Sequence, residues 1–195
     1  MSDIYFNSKG RGPYNLLSNF YGNVEIEFMK RRFENEKMSG LFDEFKECDG
    51  DRFIFYLKML QPEKKFTEKK ERYWFCGDEP IRGILAKLVG SIVVKPENFK
   101  RRVKAISVHL GISEKEVMKT GKITTDEDMY ECLMKKYKIE KYKKLLLSTG
   151  DVPLHEKPLR GRPNAWTYNK DGEGGDKLGK MLMRLRSEIE NKNKK

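Results

Sequence analysis

Residues 145–186 read LLLSTGDVPLHEKPLRGRPNAWTYNKDGEGGDKLGKMLMRLR, and the rest of the chain is interpreted outward from them. Gly150, just past the apolar Leu145-Leu146-Leu147 run, reads as a helix C-cap. A short extended piece then carries Glu156, and the loop behind it carries a single tryptophan, Trp166. Asp176 is a suitable N-cap for a final helix, in which Leu178, Met181, Leu182 and Leu185 recur at helical spacing. Ahead of it, Gly172, Gly174 and Gly175 let the backbone approach a ligand where free amides and the helix dipole would face it. A glycine-rich loop before a helix is by itself more often a plain turn.

The 195 residues suit one domain, or one domain with a tail. An apolar fraction of 37% and an aromatic fraction of 11% supply enough material for a core. No apolar run reaches the length of a membrane span, and no signal peptide precedes the first strand-like segment, so the expectation is a cytoplasmic protein without membrane contact. Cys48, Cys76 and Cys132 are odd in number, widely spaced and form no CxxC motif. They read as reduced thiols, with no zinc site. His109 and His155 are the only histidines, which leaves little for a metal cluster, and no cofactor is expected.

The net charge is +11, with lysine and arginine in blocks at 64–72, 95–104, 135–144 and 191–195. Most blocks are mixed with glutamate. Such blocks fit a solvated Lys/Glu surface, and they equally fit attraction to a polyanion such as nucleic acid or a phosphate-rich ligand. Charge alone does not choose between the two.

From the N-terminus, Asp3–Asn7 (DIYFN) reads as a strand and 8–19 as a loop. Val24, Ile26 and Phe28 alternate with Glu25 and Glu27, which predicts a half-buried strand and a two-stranded element near the N-terminus. Residues 34–48 read as a helix with Met38, Leu41, Phe42 and Phe45 as its apolar face. Residues 51–61 fit helix or strand, 62–72 a charged connector, 73–76 (YWFC) an aromatic core cluster, and 80–89 a helix. Ser113 and Glu116 form a capping-box pattern. Residues 125–137 read as a helix presenting Met129, Cys132, Leu133 and Tyr137 on one face, and the last helix is expected to end near Glu190.

The succession T-G-D, L-x-E, a lone Trp, G-x-G and L-G-K-x-L-M-x-x-R across 149–186 resembles the C-terminal half of the NADAR family, the YbiA-like proteins associated with NAD and ADP-ribose. Leu17-Ser18-Asn19-Phe20-Tyr21 resembles that family's S-N-F element, which precedes a strand, then an aromatic and a glutamate at the start of a helix. Ala86-Lys87-Leu88-Val89-Gly90 resembles its A-K-x-L-G-R element, with Ser91 where arginine is usual. The helix at 125–137 is similar to another family helix. The family glutamate is expected within FENEKM: motif wording favours Glu36, whereas helical geometry, at about 100° per residue, places Glu34 nearer the apolar face. Asn164 stands where the family carries an aspartate two residues before the tryptophan, and Asp176 where asparagine is frequent.

The resemblance implies a mostly helical α+β fold: a YbiA-like single domain over residues 1–190 with a small N-terminal β-sheet, followed by a basic tail at 191–195. It implies cleavage of an N-glycosidic bond to ribose. That chemistry builds positive charge on the sugar and needs a nearby carboxylate to stabilise it and activate water. Glu36, Glu34, Glu156 and Asn164 are the candidates for the chemistry, although Asn164 cannot act as a base. Ser18, Asn19, Phe20, Tyr21, Lys87, Trp166, Gly172, Gly174, Asp176, Lys177 and Gly179 are the candidates for binding an ADP-ribose-containing or ribosyl phosphate ligand. Asn19 would read a polar edge, an aromatic would stack on a flat ring, and the glycine turn would hold phosphate. The plainer roles are Phe20 as core, Asn19 as a turn residue, Glu34 and Glu36 as an acidic first turn, Glu156 in a salt bridge and Trp166 as a loop anchor. The favoured substrate is ADP-ribosylated guanine in nucleic acid or nucleotide. The alternatives are a phosphorylated riboflavin-pathway intermediate, or a non-catalytic ADP-ribose or nucleic-acid binding module.

Overall fold

Strand β1 (Ile4–Phe6) pairs in parallel with β2 (Leu154–Glu156) in a computed structural model of the chain, with Tyr5 opposite His155 and Phe6 opposite Glu156. The structure describes residues 2–9, 12–65, 79–159 and 161–194. They are mostly helical, and with this two-stranded sheet they make an α+β fold. The predicted first strand is therefore present, but its partner comes from the L-x-E stretch. The aromatic cluster predicted at 73–76, with Cys76, lies outside the described residues. No helix among the described residues is long and apolar enough to cross a membrane.

Contacts divide the chain into two units, Met1–Tyr21 with Leu133–Lys195, and Gly22–Cys132. The second unit contains α1 (Val24–Lys30), α2 (Glu36–Lys46), α3 (Gly50–Leu60), α4 (Glu79–Gly90), α5 (Lys100–Leu110) and α6 (Glu114–Val117). Asn35 caps α2 by accepting from the amides of Lys37 and Met38, and the predicted apolar face Met38, Leu41, Phe42 and Phe45 is buried. Phe33, Phe42, Phe45 and Tyr56 form a chain of ring contacts at 5.5, 5.8 and 5.2 Å through this core. The Ser113–Glu116 capping box is formed.

Residues 24–30 form helix α1, not the predicted strand. Alternation over five residues also satisfies helical spacing. Val24 and Phe28 stack one turn apart on the buried side, and Glu25 and Met29, which alternation would place together on the solvent face, are both buried. The run is short enough that packing decides its period.

The first unit is assembled from both ends of the chain. It holds β1, a 3-10 turn (Pro13–Leu17), the end of α7 (Asp126–Lys136), α8 (Glu140–Leu147), β2 and α9 (Lys177–Asn193). Helix α9 thus continues past the predicted end near Glu190, to Asn193. Lys136 is 1% exposed, and its Nζ donates to the carbonyls of Leu16 at 2.6 Å and Ser18 at 2.8 Å. It also lies 4.9 Å from the Tyr142 ring centroid. Arg186 on α9 donates to Thr149 Oγ1 at 2.7 Å and to the Val152 carbonyl at 2.9 Å, fastening the T-G-D turn to the last helix. The C-cap of α8 is Ser148 (φ −66°), not Gly150 as predicted; Gly150 is left-handed, with φ 53°, in the turn that follows. Gly179 lets α9 meet β2 at backbone contact: a Cβ there would lie 2.1 Å from the Leu154 carbonyl oxygen.

Two substitutions test this account by urea unfolding. Lys136→Met keeps the stem but removes the donor from two buried carbonyls, and should cost on the order of 2 kcal/mol. Gly179→Ala should cost about 1–3 kcal/mol through overpacking, because the atom in the way is main chain. A wild-type transition midpoint in either variant would refute the corresponding contact.

Candidate functional site

Two acids are buried among the described residues of the Gly22–Cys132 unit, Asp128 and Glu25, and Glu25, 3% exposed, lies in the first turn of α1. Its position follows from how α1 and α4 pack. Gly90 at the end of α4 receives Met29 so closely that a Cβ there would stand 2.3 Å from Met29 Sδ. That approach brings the exposed Lys87 of α4 into electrostatic range of Glu25. Arg32, just after α1, donates from Nε to Thr124 Oγ1 at 3.0 Å and from Nη1 to the Gly90 carbonyl at 3.0 Å. Burial pushes the Glu25 carboxyl above its ordinary value, and Lys87 and then Arg32 pull it back. Burial lowers the Arg32 guanidinium, against the opposing pull of Glu25. A carboxyl held above the usual carboxylate range beside two cations is equipped for proton transfer and for stabilising a developing positive charge.

The acids nominated from sequence in this unit are placed differently. Glu36 opens α2 and is exposed, and Glu34 is exposed and pairs with Lys119 at 3.5 Å. Both fit the plainer description of a solvated acidic helix start. The helix that begins directly after LSNFY is α1, and its first-turn acid is Glu25. Reading 24–28 as a strand put Glu25 on a solvent face and hid it. The signal that could have revealed it is the helical pairing of Val24 with Phe28 and Glu25 with Met29.

In the other unit, the L-x-E glutamate is buried and accepts from Ser18 Oγ at 2.9 Å, so Ser18 and Glu156 are brought together. Phe20 is buried at 7% exposure and packs as core. Tyr21 donates from its hydroxyl to the Ser8 carbonyl at 3.4 Å and accepts from Asn15 Nδ2 at 3.2 Å. Asn19 is half-buried. Trp166 is half-exposed, with Lys177 Nζ 5.5 Å from its ring centroid. Asn164 is exposed and accepts from the Trp166 amide at 2.8 Å, a turn that shapes the tryptophan loop.

The amides expected to face a ligand at the start of α9 are taken by this loop instead. Gly175, Asp176, Lys177 and Leu178 donate to the carbonyls of Asn164, Thr167, Ala165 and Trp166. Gly174 and Gly175 serve the same contact, since a Cβ on them would lie 2.0 Å from the Thr167 oxygen and 2.4 Å from the Ala165 oxygen. Gly172 is exposed, with φ 84°. Asp176 occupies the N-cap position but is left-handed (φ 52°) and makes no side-chain cap, a correction to the predicted capping role.

The Asp176 carboxylate turns to His155, whose Nδ1 lies 2.8 Å from its Oδ2. His155 is held between the rings of Tyr5 and Tyr168 at 4.9 and 4.8 Å, with Asp3 at 3.5 Å from its Nε2. Burial raises the Asp176 carboxyl, and the His155 contact lowers it. No sequence motif announced this cluster; only the β1–β2 register sets Tyr5 beside His155.

Glu25 should lower stability as pH rises. Its folded-state pKa lies above the ordinary 4.5, so the folded chain holds the proton more tightly than the unfolded chain in the window upward from 4.5. The stability this gives is present below that window and lost as pH climbs through it. Glu25→Gln is therefore expected to raise the melting temperature at pH 7, with the gain shrinking toward pH 4. Thermal melts across this range check it; a variant less stable than wild type at pH 7 would refute the assignment. Compared with known proteins, this chain matches no family model, no curated protein and no solved structure.

Proposed function

We propose that the chain is an N-glycosidase that hydrolyses the bond between a ribose carbon and a base, with ADP-ribosylated guanine in nucleic acid or nucleotide as the favoured substrate. The observation that carries this reading is the buried Glu25 carboxyl, within electrostatic range of Lys87 and Arg32, in the first turn of the helix that follows LSNFY. Glu25 replaces Glu36 and Glu34 in the role assigned to a helix-start glutamate, because both of those are solvated. As the glycosidic bond breaks, positive charge develops at the ribose carbon and the electron pair leaves with the base. The carboxylate stabilises that charge and takes a proton from the water that adds to the carbon. The departing base takes up a proton, so hydrolysis yields the free base and a ribose hydroxyl. Lys87, exposed at the edge of the buried acid, is suited to hold a phosphate of the ligand.

A second reading is a binding module that recognises ADP-ribose without cleaving it. The observation favouring it is Asn164, which cannot serve as a base and whose side chain is engaged in shaping its own turn.

Incubation with ADP-ribosylated guanosine, and separately with phosphorylated ribosyl-pyrimidine intermediates of the riboflavin pathway, identifies the substrate class by which one releases free base or amine. Glu25→Gln should lower turnover by about 10²–10⁴-fold while ADP-ribose binding persists. Glu36→Gln should leave turnover unchanged. Full turnover in Glu25→Gln would remove the proposed acid, and binding of ADP-ribose with no release from any substrate would favour the binding module.

A further inference from the structure

An open groove of about 550 Å³ runs between α3 and α5, away from the Glu25 cluster in sequence and formed by different side chains. Its floor is apolar, with Phe55 and Met59 from α3 and Ala105 and Val108 from α5. Phe55 is 53% exposed and Val108 74%, and both line the one groove. Phe55 is held in place, its ring 5.3 Å from Tyr56 and 5.6 Å from His109. Arg101 and Lys104 stand exposed on one edge, one turn apart on α5. Among the described residues neither forms a salt bridge, unlike the cations of α1 and α2, where Lys30 and Lys46 share Asp43.

We propose that this groove binds single-stranded nucleic acid, with Phe55 as the stacking platform and Arg101 and Lys104 as phosphate contacts. An unpaired strand presents flat apolar faces and a line of negative charge side by side, and the groove carries the complement of both. The groove is open and its aromatic ring stands proud. The ring offers a face to an unstacked base, and the two cations stand within the same groove for the adjoining phosphates. The backbone of a duplex would meet the cations, but its stacked bases could not reach the ring. The net charge of +11 adds long-range attraction to such a strand. Strand binding here does not depend on the glycosidic reading.

The test is fluorescence anisotropy of the full chain with a fluorescein-labelled, unmodified oligothymidylate of about 12 nucleotides. The probe carries no ADP-ribose, so its binding and any failure of turnover are separate results. Phe55→Ala should weaken binding at least about fivefold. Arg101→Gln and Lys104→Gln should each make the dependence of log K on log salt shallower by about 0.7. Glu25→Gln should bind the strand as wild type does. Phe55→Trp, which keeps the platform, should retain binding and show tryptophan quenching beyond that of wild type when the strand is added. Unchanged affinity in Phe55→Ala, no added quenching in Phe55→Trp, equal affinity for a duplex of the same length, or capture of an acidic helical peptide in place of the strand would each overturn the proposal.

Discussion

The ammonium group of Lys136 is the constraint on which the sheet-bearing unit depends. A lysine so fully enclosed needs partners for its donors, and it finds them in the carbonyls of Leu16 and Ser18. Those two contacts fix the path of the LSN stretch before any packing of its side chains is considered. Ser18 is then positioned to donate to Glu156, and Glu156 sits on the strand that pairs with β1. Arg186 does the same for the T-G-D turn, holding Thr149 and Val152 against the last helix. Two buried cations, Lys136 on two main-chain oxygens and Arg186 on one main-chain oxygen and the Thr149 hydroxyl, thus specify the irregular segments that no apolar periodicity could define.

The same logic separates the two kinds of acid in the chain. Glu34 is exposed, and its pairing with Lys119 adds little. Asp128 is different: hydrogen bonds from Lys122, the Thr125 amide and Arg31 hold its carboxyl well below the usual range, so it is structural. Glu25 goes the other way, since desolvation outweighs its two cations. The Glu25 carboxyl is thus held at a cost to stability at neutral pH, where Asp128 adds to it.

Periodicity made much of the helical frame legible. The α2 face, the Ser113 capping box, the α4 helix and the Met129–Tyr137 face were all readable because each spans several turns or carries a cap. Residues 24–28 were misread because five residues satisfy both periods, and the error carried Glu25 with it. The glycines near 174 were read for ligand approach, whereas close passage of the protein's own Trp166 loop demands them. Asp176 was read as a cap, yet its geometry is set by His155 across the sheet, a long-range partner invisible to local rules.

The two units also differ in how the ribosome would deliver them. Gly22–Cys132 is one continuous run and can collapse on its own contacts while the remainder is still being made. The sheet-bearing unit cannot, because its first strand emerges early and waits for residues 154–156 to arrive. Throughout that interval the edge of β1 stays open, and the short, three-residue length of the strand limits what it could wrongly recruit in the meantime.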